Sequence, residues 1–264
     1  MADKRTEFSV PGKPANSRPA GRSFPTVAAV LALLLGWYLL SLLLNNPALP
    51  PPAMALTAFI TQIPSGLGRD FLISTWRVLA SILISLGLGV PLGLWLGRDR
   101  QYDRFFAPLI YLTYPIPKIV FLPLVMILLG LGDISKIFLI TLVVFFQILV
   151  TTRDAARNVN EAMVLSVSSL GARRLDIYRH VIWPAVLPEV LTALRIASGT
   201  AIAVLFFSES FASQDGLGYY LMDAWSRYAY DEMFAGIIAM GALGYLLYLG
   251  LDWLEKAACP WKRL

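Results

Sequence analysis

Apolar positions run through this chain in long uninterrupted blocks, with no sustained alternation of apolar and polar residues. The blocks 26–44, 78–97, 137–152 and 233–251 hold no Asp, Glu, Lys or Arg. Two more, 105–132 and 190–208, hold one charge each, Lys118 and Arg195. About 20 helical residues cross a hydrocarbon core, because each residue adds about 1.5 Å. The pattern therefore predicts an all-α, polytopic membrane protein of six spans, and the missing alternation argues against a β-barrel. Between the first two blocks, Pro50, Pro51 and Pro52 stop a helix. Met54, Leu56, Phe59, Ile60 and Ile63 then suit a short interfacial helix on the outer side, broken by Gly66 and Gly68.

Inside the blocks, finer patterns stand out. Ser81, Ser85, Gly89, Gly93 and Gly97 recur every fourth residue, a smooth ridge against which another helix can lie closely, either as static packing or as a sliding interface. Pro91 adds a kink. The third block is broken by Pro115, Pro117 and Pro123. Carbonyls freed by proline inside a bilayer need partners in the protein or in a water-lined cavity, so Tyr114, Pro115, Pro117 and Lys118 are candidate lining of a translocation pathway. Gln147, the one strongly polar side chain of the fourth block, either joins that lining or bonds a neighbouring helix.

The segment 153–187 is far longer than a simple turn between helices requires. Two short helices fit it, near 161–170 and 172–182, with Gly171 at the junction, where a left-handed conformation costs glycine little. Leu175, Tyr178 and Ile182 share a predicted apolar face in the second, while Arg173, Asp176 and Arg179 suit solvent. Trp183, Pro184 and Pro188 are expected to redirect the chain into the fifth span.

Composition sharpens the membrane assignment. Of 264 residues 57% are hydrophobic and only 15% charged, too apolar for a water-facing surface around one core. The formal net charge of +5 would suit a nucleic-acid partner, but its placement favours another explanation. Lys4, Arg5, Lys13, Arg18, Arg22, Arg98, Arg100, Arg104, Arg153, Arg157, Arg173, Arg174, Arg179, Lys256, Lys262 and Arg263 all fall on one side of a six-span topology. Only Arg69, Lys136 and Arg227 fall on the other, and Arg77, Lys118 and Arg195 sit within or at the edge of spans. Basic loops stay inside, so both termini are expected in the cytoplasm, with the lipid bilayer and no nucleic acid as the surrounding partner. The first span is expected to be a retained anchor, since its apolar run is too long for a signal peptide. The expected organisation is a disordered basic tail (1–25), a six-helix domain (26–256) with its cytoplasmic loop at 153–187, and a short tail (257–264).

Several motifs, in order along these spans, carry a resemblance. They are Pro91-Leu92-Gly93-Leu94, Tyr114-Pro115-Ile116-Pro117, Gly130-Leu131-Gly132-Asp133-Ile134-Ser135-Lys136, Ser169-Leu170-Gly171-Ala172, Val181-Ile182-Trp183-Pro184-Ala185-Val186-Leu187-Pro188, Thr192-Ala193-Leu194-Arg195-Ile196-Ala197, Glu209 and Gly216-Leu217-Gly218-Tyr219. Together, from about Trp37 to about Glu255, the chain resembles the type I permeases of ATP-binding-cassette importers, specifically the nitrate, taurine and aliphatic-sulfonate branch. The resemblance implies a transmembrane permease subunit in a bacterial inner membrane, not an enzyme. It would form the pathway for a small anionic solute such as nitrate, a sulfonate, taurine or bicarbonate. It would work as a homodimer with ABC ATPase subunits inside and a solute-binding protein outside. The loop would couple to the ATPase through Glu161, Ser169, Leu170, Gly171, Ala172, Arg173, Arg174 and Tyr178. One departure lies six residues before Gly171, where the family usually has Glu and this chain has Leu165, leaving Glu161 as a possible substitute.

The remaining chemistry is sparse. No G-x-x-x-x-G-K-[ST] occurs, so the chain is expected to bind no cofactor and to rely on ATP hydrolysed by a partner, or else on an ion gradient as a secondary transporter. One histidine, His180, and one cysteine, Cys259, give no metal site and no nucleophile–base pair. Arg195 and Glu209, 14 residues apart on the fifth span, are separated by about 21 Å of helix and cannot pair along it. Arg195 is expected to snorkel or to bond a loop carbonyl. Glu209, near the outer end, is placed with the pathway as a gate or structural group, or in direct contact with solute, and Lys118 is a group that could attract an anion.

Overall fold

A computed structural model describes residues 23–211 and 213–263, and they contain helices and turns with no strand. Lys4, Arg5, Lys13, Arg18 and Arg22 of the basic tail lie outside the described residues. The chain divides into two units, residues 1–46 and 47–264. The described part of the first is helix α1 (Ser23–Leu44), charge-free, with Leu31, Leu33, Leu35 and Leu43 exposed along it as a lipid-facing helix requires.

The second unit opens with α2 (Pro52–Gln62), whose first residue is the third of the consecutive prolines, a position where the missing N–H costs nothing. A π-turn, Ile63–Leu67, leads into α3 (Gly68–Arg98), and Gly66 takes φ +136° there, as only glycine does comfortably. Asp99 ends α3 and caps α4 (Arg100–Thr113) by accepting from the Gln101 and Tyr102 N–H groups. The predicted proline break follows. A 3₁₀ turn, Lys118–Phe121, joins α4 to α5 (Leu122–Leu129), and the two halves of this span meet at 77°. Next come α6 (Asp133–Arg157), α7 (Glu161–Ser169), α8 (Arg174–Ile177), α9 (Trp183–Ser210), α10 (Leu217–Ser226) and α11 (Tyr230–Ala258). Among the described residues, five segments are long and apolar enough to cross a membrane, and the bent α4–α5 pair, taken as one span, makes the sixth.

The core centres on α3 against α6, with α9 also packed on α6. Val78, Leu139, Ile140, Val144, Ile148, Val186, Ala197 and Leu205 are all fully buried there. The small-residue ridge of α3 is what lets α6 approach. Ser81 and Ser85 each donate to an α6 carbonyl, Ile137 and Thr141, at 3.1 Å. A Cβ added at Gly93 would stand 2.6 Å from Thr152 Cβ and 2.9 Å from the Leu149 carbonyl oxygen. At Gly97 it would meet Ala156 Cβ at 2.7 Å, and at Gly89 it would meet Ile148 Cγ2 at 3.1 Å. The ridge is therefore a backbone-to-backbone seam within one chain, of the kind small residues make in membranes.

Two expectations for the cytoplasmic loop need correction. Its second helix is not set off from the fifth span, because α8 widens into a π-turn, Tyr178–Ile182, that runs directly into α9. Pro184 has no N–H to give the carbonyl four residues back, and the wider turn absorbs that loss without a break. The supposed common face of Leu175, Tyr178 and Ile182 is divided: Leu175 is exposed, Tyr178 half-buried and Ile182 buried.

Candidate functional site

Three clusters of functional groups emerge, two near the ends of the α3–α6 seam and one on the bent span. At the outer end, Arg77 of α3 is buried and surrounded by carboxylates. Its Nη1 donates to Glu209 Oε1 of α9 at 2.8 Å, and its Nε to Asp133 Oδ1 at the start of α6, also at 2.8 Å. Its Nη2 pairs with Asp133 and with Asp215, and Nη1 reaches the Asp215 carbonyl at 3.2 Å. An arginine presents five N–H donors in a fixed fork, which is why one side chain can join three acids from three segments.

The same cluster receives the start of α10. The N-terminal N–H groups of a helix have no partner within it. Here Gly216 N donates to Asp70 Oδ1 at 2.9 Å, Leu217 N to Ser74 Oγ at 2.8 Å and Gly218 N to Glu209 Oε2 at 2.9 Å. Ser74 Oγ in turn donates to the Glu209 carboxylate, 2.9 and 2.8 Å from its two oxygens. Side chains of α3 and α9 thus cap a helix that belongs to neither. Gly216 has φ +97°, and a Cβ there would stand 2.5 Å from Glu209 Oε1 and 2.7 Å from Arg77 Nη1. Lys136, buried beside the cluster, donates to the Leu131 carbonyl at 2.8 Å.

At the cytoplasmic end, α7 begins with Asn160 accepting from Ala162 N, and Gly171, at φ +83°, turns the chain between α7 and α8. Nothing lies within 4 Å of a Cβ built on Gly171, so its requirement is conformational and not steric. Leu165 and Leu170 on α7 and its cap, and Leu175 on α8, are exposed to 65%, 86% and 77%, too apolar for a face left to water. Glu161 reaches Arg98 Nη1 at 3.4 Å, tying the first turn of α7 to the end of α3. Ser169, Ala172, Arg173, Arg174 and Tyr178 fall on the same loop, with Asp176 Oδ2 accepting from Arg173 N at 3.1 Å. Behind the loop, buried Arg153 pairs with Asp103 of α4 and with Asp154, at 3.0 Å for the latter.

The predicted pathway residues separate. Tyr114, Pro115 and Pro117 are exposed at the bend of the third span. Lys118 is committed to that bend, donating to the Thr113 and Tyr114 carbonyls at 2.8 and 2.6 Å and standing 4.7 Å from the Phe146 ring centre. Those are carbonyls at the end of α4, so the lysine neutralises a broken helix terminus. Gln147 is half-buried on α6. Glu209 is wholly buried, and its oxygens are taken by Arg77, Ser74 and Gly218. Arg195 pairs with Glu255 and, at 3.7 Å, with Asp252 of α11.

Sequence reasoning gave no site role to Arg77, Asp70, Ser74, Asp133, Asp215 or Gly216, although Asp133 and Gly216 stood in its motifs. The available signal was Arg77 itself, since an ionisable side chain in an apolar span needs a partner and marks function by default. Nothing in the spacing said that the partners lay up to 138 residues away.

Comparison with known proteins bears on what this framework does. The family described as binding-protein-dependent transport system inner membrane component matches residues 89–263. The taurine transport system permease protein TauC of Escherichia coli is 32% identical over 252 residues, 93% of this chain and 91% of its own. The permease SsuC of Escherichia coli, named for aliphatic sulfonates transport, is 32% identical over 88% of this chain and 86% of its own. Among solved structures, an inward-facing conformation of the MetNI methionine ABC transporter aligns with TM-score 0.62 at 19% identity, over 73% of this chain and 95% of that one.

Proposed function

The chain belongs to the binding-protein-dependent transport system inner membrane component family, and from that premise we propose that it passes a small anion of the sulfonate class as one half of a homodimer. Its role as the membrane-embedded permease subunit of an ATP-binding-cassette importer follows from the family and from relatives such as TauC. It is a multi-pass inner-membrane transport component and not an enzyme, and the ion-gradient reading falls away. Members of such systems act with an ATPase and an extracytoplasmic binding protein.

The observation that supports the substrate class is the 32% identity to a taurine permease over nearly the whole chain, joined by a second relative named for aliphatic sulfonates. The chain contributes no nucleotide site of its own, and ATP is hydrolysed by the partner subunit. Work enters at the cytoplasmic loop. Leu165, Leu170 and Leu175 form its apolar contact, Gly171 sets its bend, and Ser169, Ala172, Arg173, Arg174 and Tyr178 frame it. Arg98 and Glu161 link that loop to α3, so a push on α7 reaches the seam with α6 and the outer cluster as a rigid-body motion.

The test is uptake by proteoliposomes holding the complete transporter with its binding protein and ATP. Labelled taurine or ethanesulfonate should accumulate only when all components and ATP are present. Gly171→Val should leave the subunits associated while hydrolysis no longer drives uptake. Accumulation without any ATPase subunit would overturn the reading.

A further inference from the structure

A cleft of about 630 Å³ runs between α9 and α11. Its size falls in the range of ordinary small-molecule sites, as does its character, mostly apolar with few polar groups. Its walls include Ile202 and Phe206 on α9 and Met240 on α11, and Leu221 of α10 closes it toward the outer side. Arg195 and Tyr248 line its cytoplasmic end.

Two of its three glycines are unexplained by packing. On α3, a Cβ at Gly93 or Gly97 would collide with α6, so those glycines are required by a helix contact. Gly199 and Gly241 line the cleft from opposite walls, and a Cβ on either would meet nothing within 4 Å. Glycine inside a helix is destabilising relative to alanine. What these two positions retain for that cost is open space.

The charge at the end is balanced by Glu255 and by Asp252, which Lys256 shares, but the guanidinium donors are only partly used, and Nε is buried without a partner among the described residues. Arg195 Nη2 holds Glu255 and Asp252, and the guanidinium carbon stands 5.5 Å from the Tyr248 ring centre. Nη1 makes no hydrogen bond among the described residues, and the side chain is 25% exposed. A guanidinium edge at the end of an apolar slot suits one ligand chemistry: an oxyanion head on a short aliphatic stem.

We propose that the α9–α11 cleft is this subunit's solute site, taking a short alkanesulfonate-like anion with its head group on Arg195 and its stem between Gly199 and Gly241. The assignment rests on the sulfonate reading above and adds where the solute sits. Ile202, Phe206 and Met240 give the stem apolar walls, and Leu221 makes α10, which the Arg77 cluster holds in place, the roof of the site.

The experiment uses the complete transporter in proteoliposomes with ATP, binding protein and labelled ethanesulfonate. Gly241→Leu and Gly199→Leu should each lose uptake while the subunits still co-purify. Gly250→Leu, on α11 but outside the cleft and also in open space, should transport normally. Arg195→Lys keeps a cation for Glu255 and Asp252, and should raise KM about tenfold, the effect of roughly 1.4 kcal/mol of lost binding, with a smaller change in maximal rate. Full uptake by both cleft variants overturns the proposal. So does loss of assembly in them, which would make the cleft a contact with a second copy, and so does an equal loss with Gly250→Leu, which would make it a general lipid-packing effect. A wild-type transporter that moves other solutes but ignores ethanesulfonate sinks the substrate reading, and the cleft assignment with it.

Discussion

Arg77 and Glu209 stand 2.8 Å apart, both buried, although 132 residues separate them in the chain. Their pairing fixes the outer end of α3 to the outer end of α9, and through Asp133 and Asp215 it takes in α6 and the approach to α10. Buried charges are tolerated only when paired and hydrogen-bonded, and here Arg77 and its three carboxylates are partnered across segments. The first prediction follows from this dependence. Arg77→Leu strands Glu209 in the core and should cost about 3–5 kcal/mol, seen as a large drop in the melting temperature of the purified complex. Glu209→Leu alone should also destabilise, but the double variant Arg77→Leu/Glu209→Leu should recover part of the loss. Strict additivity of the two melting shifts would show that the pair is not coupled.

The second prediction separates two glycines that share a backbone sign. Gly216 and Gly171 both lie at positive φ, but a side chain at Gly216 would strike Glu209 and Arg77 while one at Gly171 would meet open space. Gly171→Ala should cost only the conformational penalty, about 1 kcal/mol. Gly216→Ala adds a steric clash against two buried charges, and should lower the melting temperature far more and reduce the yield of assembled complex. Equal melting shifts would contradict the clash.

These glycines also mark how much could be read in advance. The six spans, the proline break in the third and the four-residue ridge were legible because hydrophobic length, proline chemistry and small-residue spacing are local properties. The left-handed turn at Gly171 was legible for the same reason. The outer cluster was not. Asp70, Ser74, Arg77, Asp133, Glu209 and Asp215 come from four segments, and only the packing of α3, α6 and α9 brings them together. Glu209 drew attention through its motif, but its partner did not. The face of Leu175, Tyr178 and Ile182 was misjudged because a 3.6-residue period assumes a regular helix, and the π-turn at Tyr178–Ile182 shifts the register midway.

The third prediction concerns the α3–α6 seam. Gly93 approaches Thr152 and the Leu149 carbonyl so closely that no side chain fits without moving a helix. Gly93→Leu should destabilise by at least the 1–3 kcal/mol typical of overpacking. Gly87, on the same helix with nothing within 4 Å of an added Cβ, serves as the comparison. Gly87→Leu should be nearly neutral. The check is the fraction of each variant that remains monodisperse after heating in detergent, and a Gly93→Leu protein as resistant as Gly87→Leu would refute the seam.

The last prediction tests the cytoplasmic face. Leu170 and Leu175 project from either side of Gly171 and bury nothing within their own chain. Surface changes away from packing features alter stability by no more than about 0.5 kcal/mol. Leu170→Asp and Leu175→Asp should therefore melt like the parent protein. If these side chains insert into the ATPase subunit, each charge must be desolvated in an apolar contact, at a cost of several kcal/mol unless it finds a partner. Association with the ATPase should weaken in both variants, measured by pull-down across a concentration series, and ATP-driven uptake should fall in step. Val120, exposed on the bent third span and far from the loop in sequence, provides the contrast. A conservative change there, Val120→Ala, should leave ATPase binding intact. Undiminished binding by both aspartate variants would place the ATPase contact elsewhere on the cytoplasmic surface.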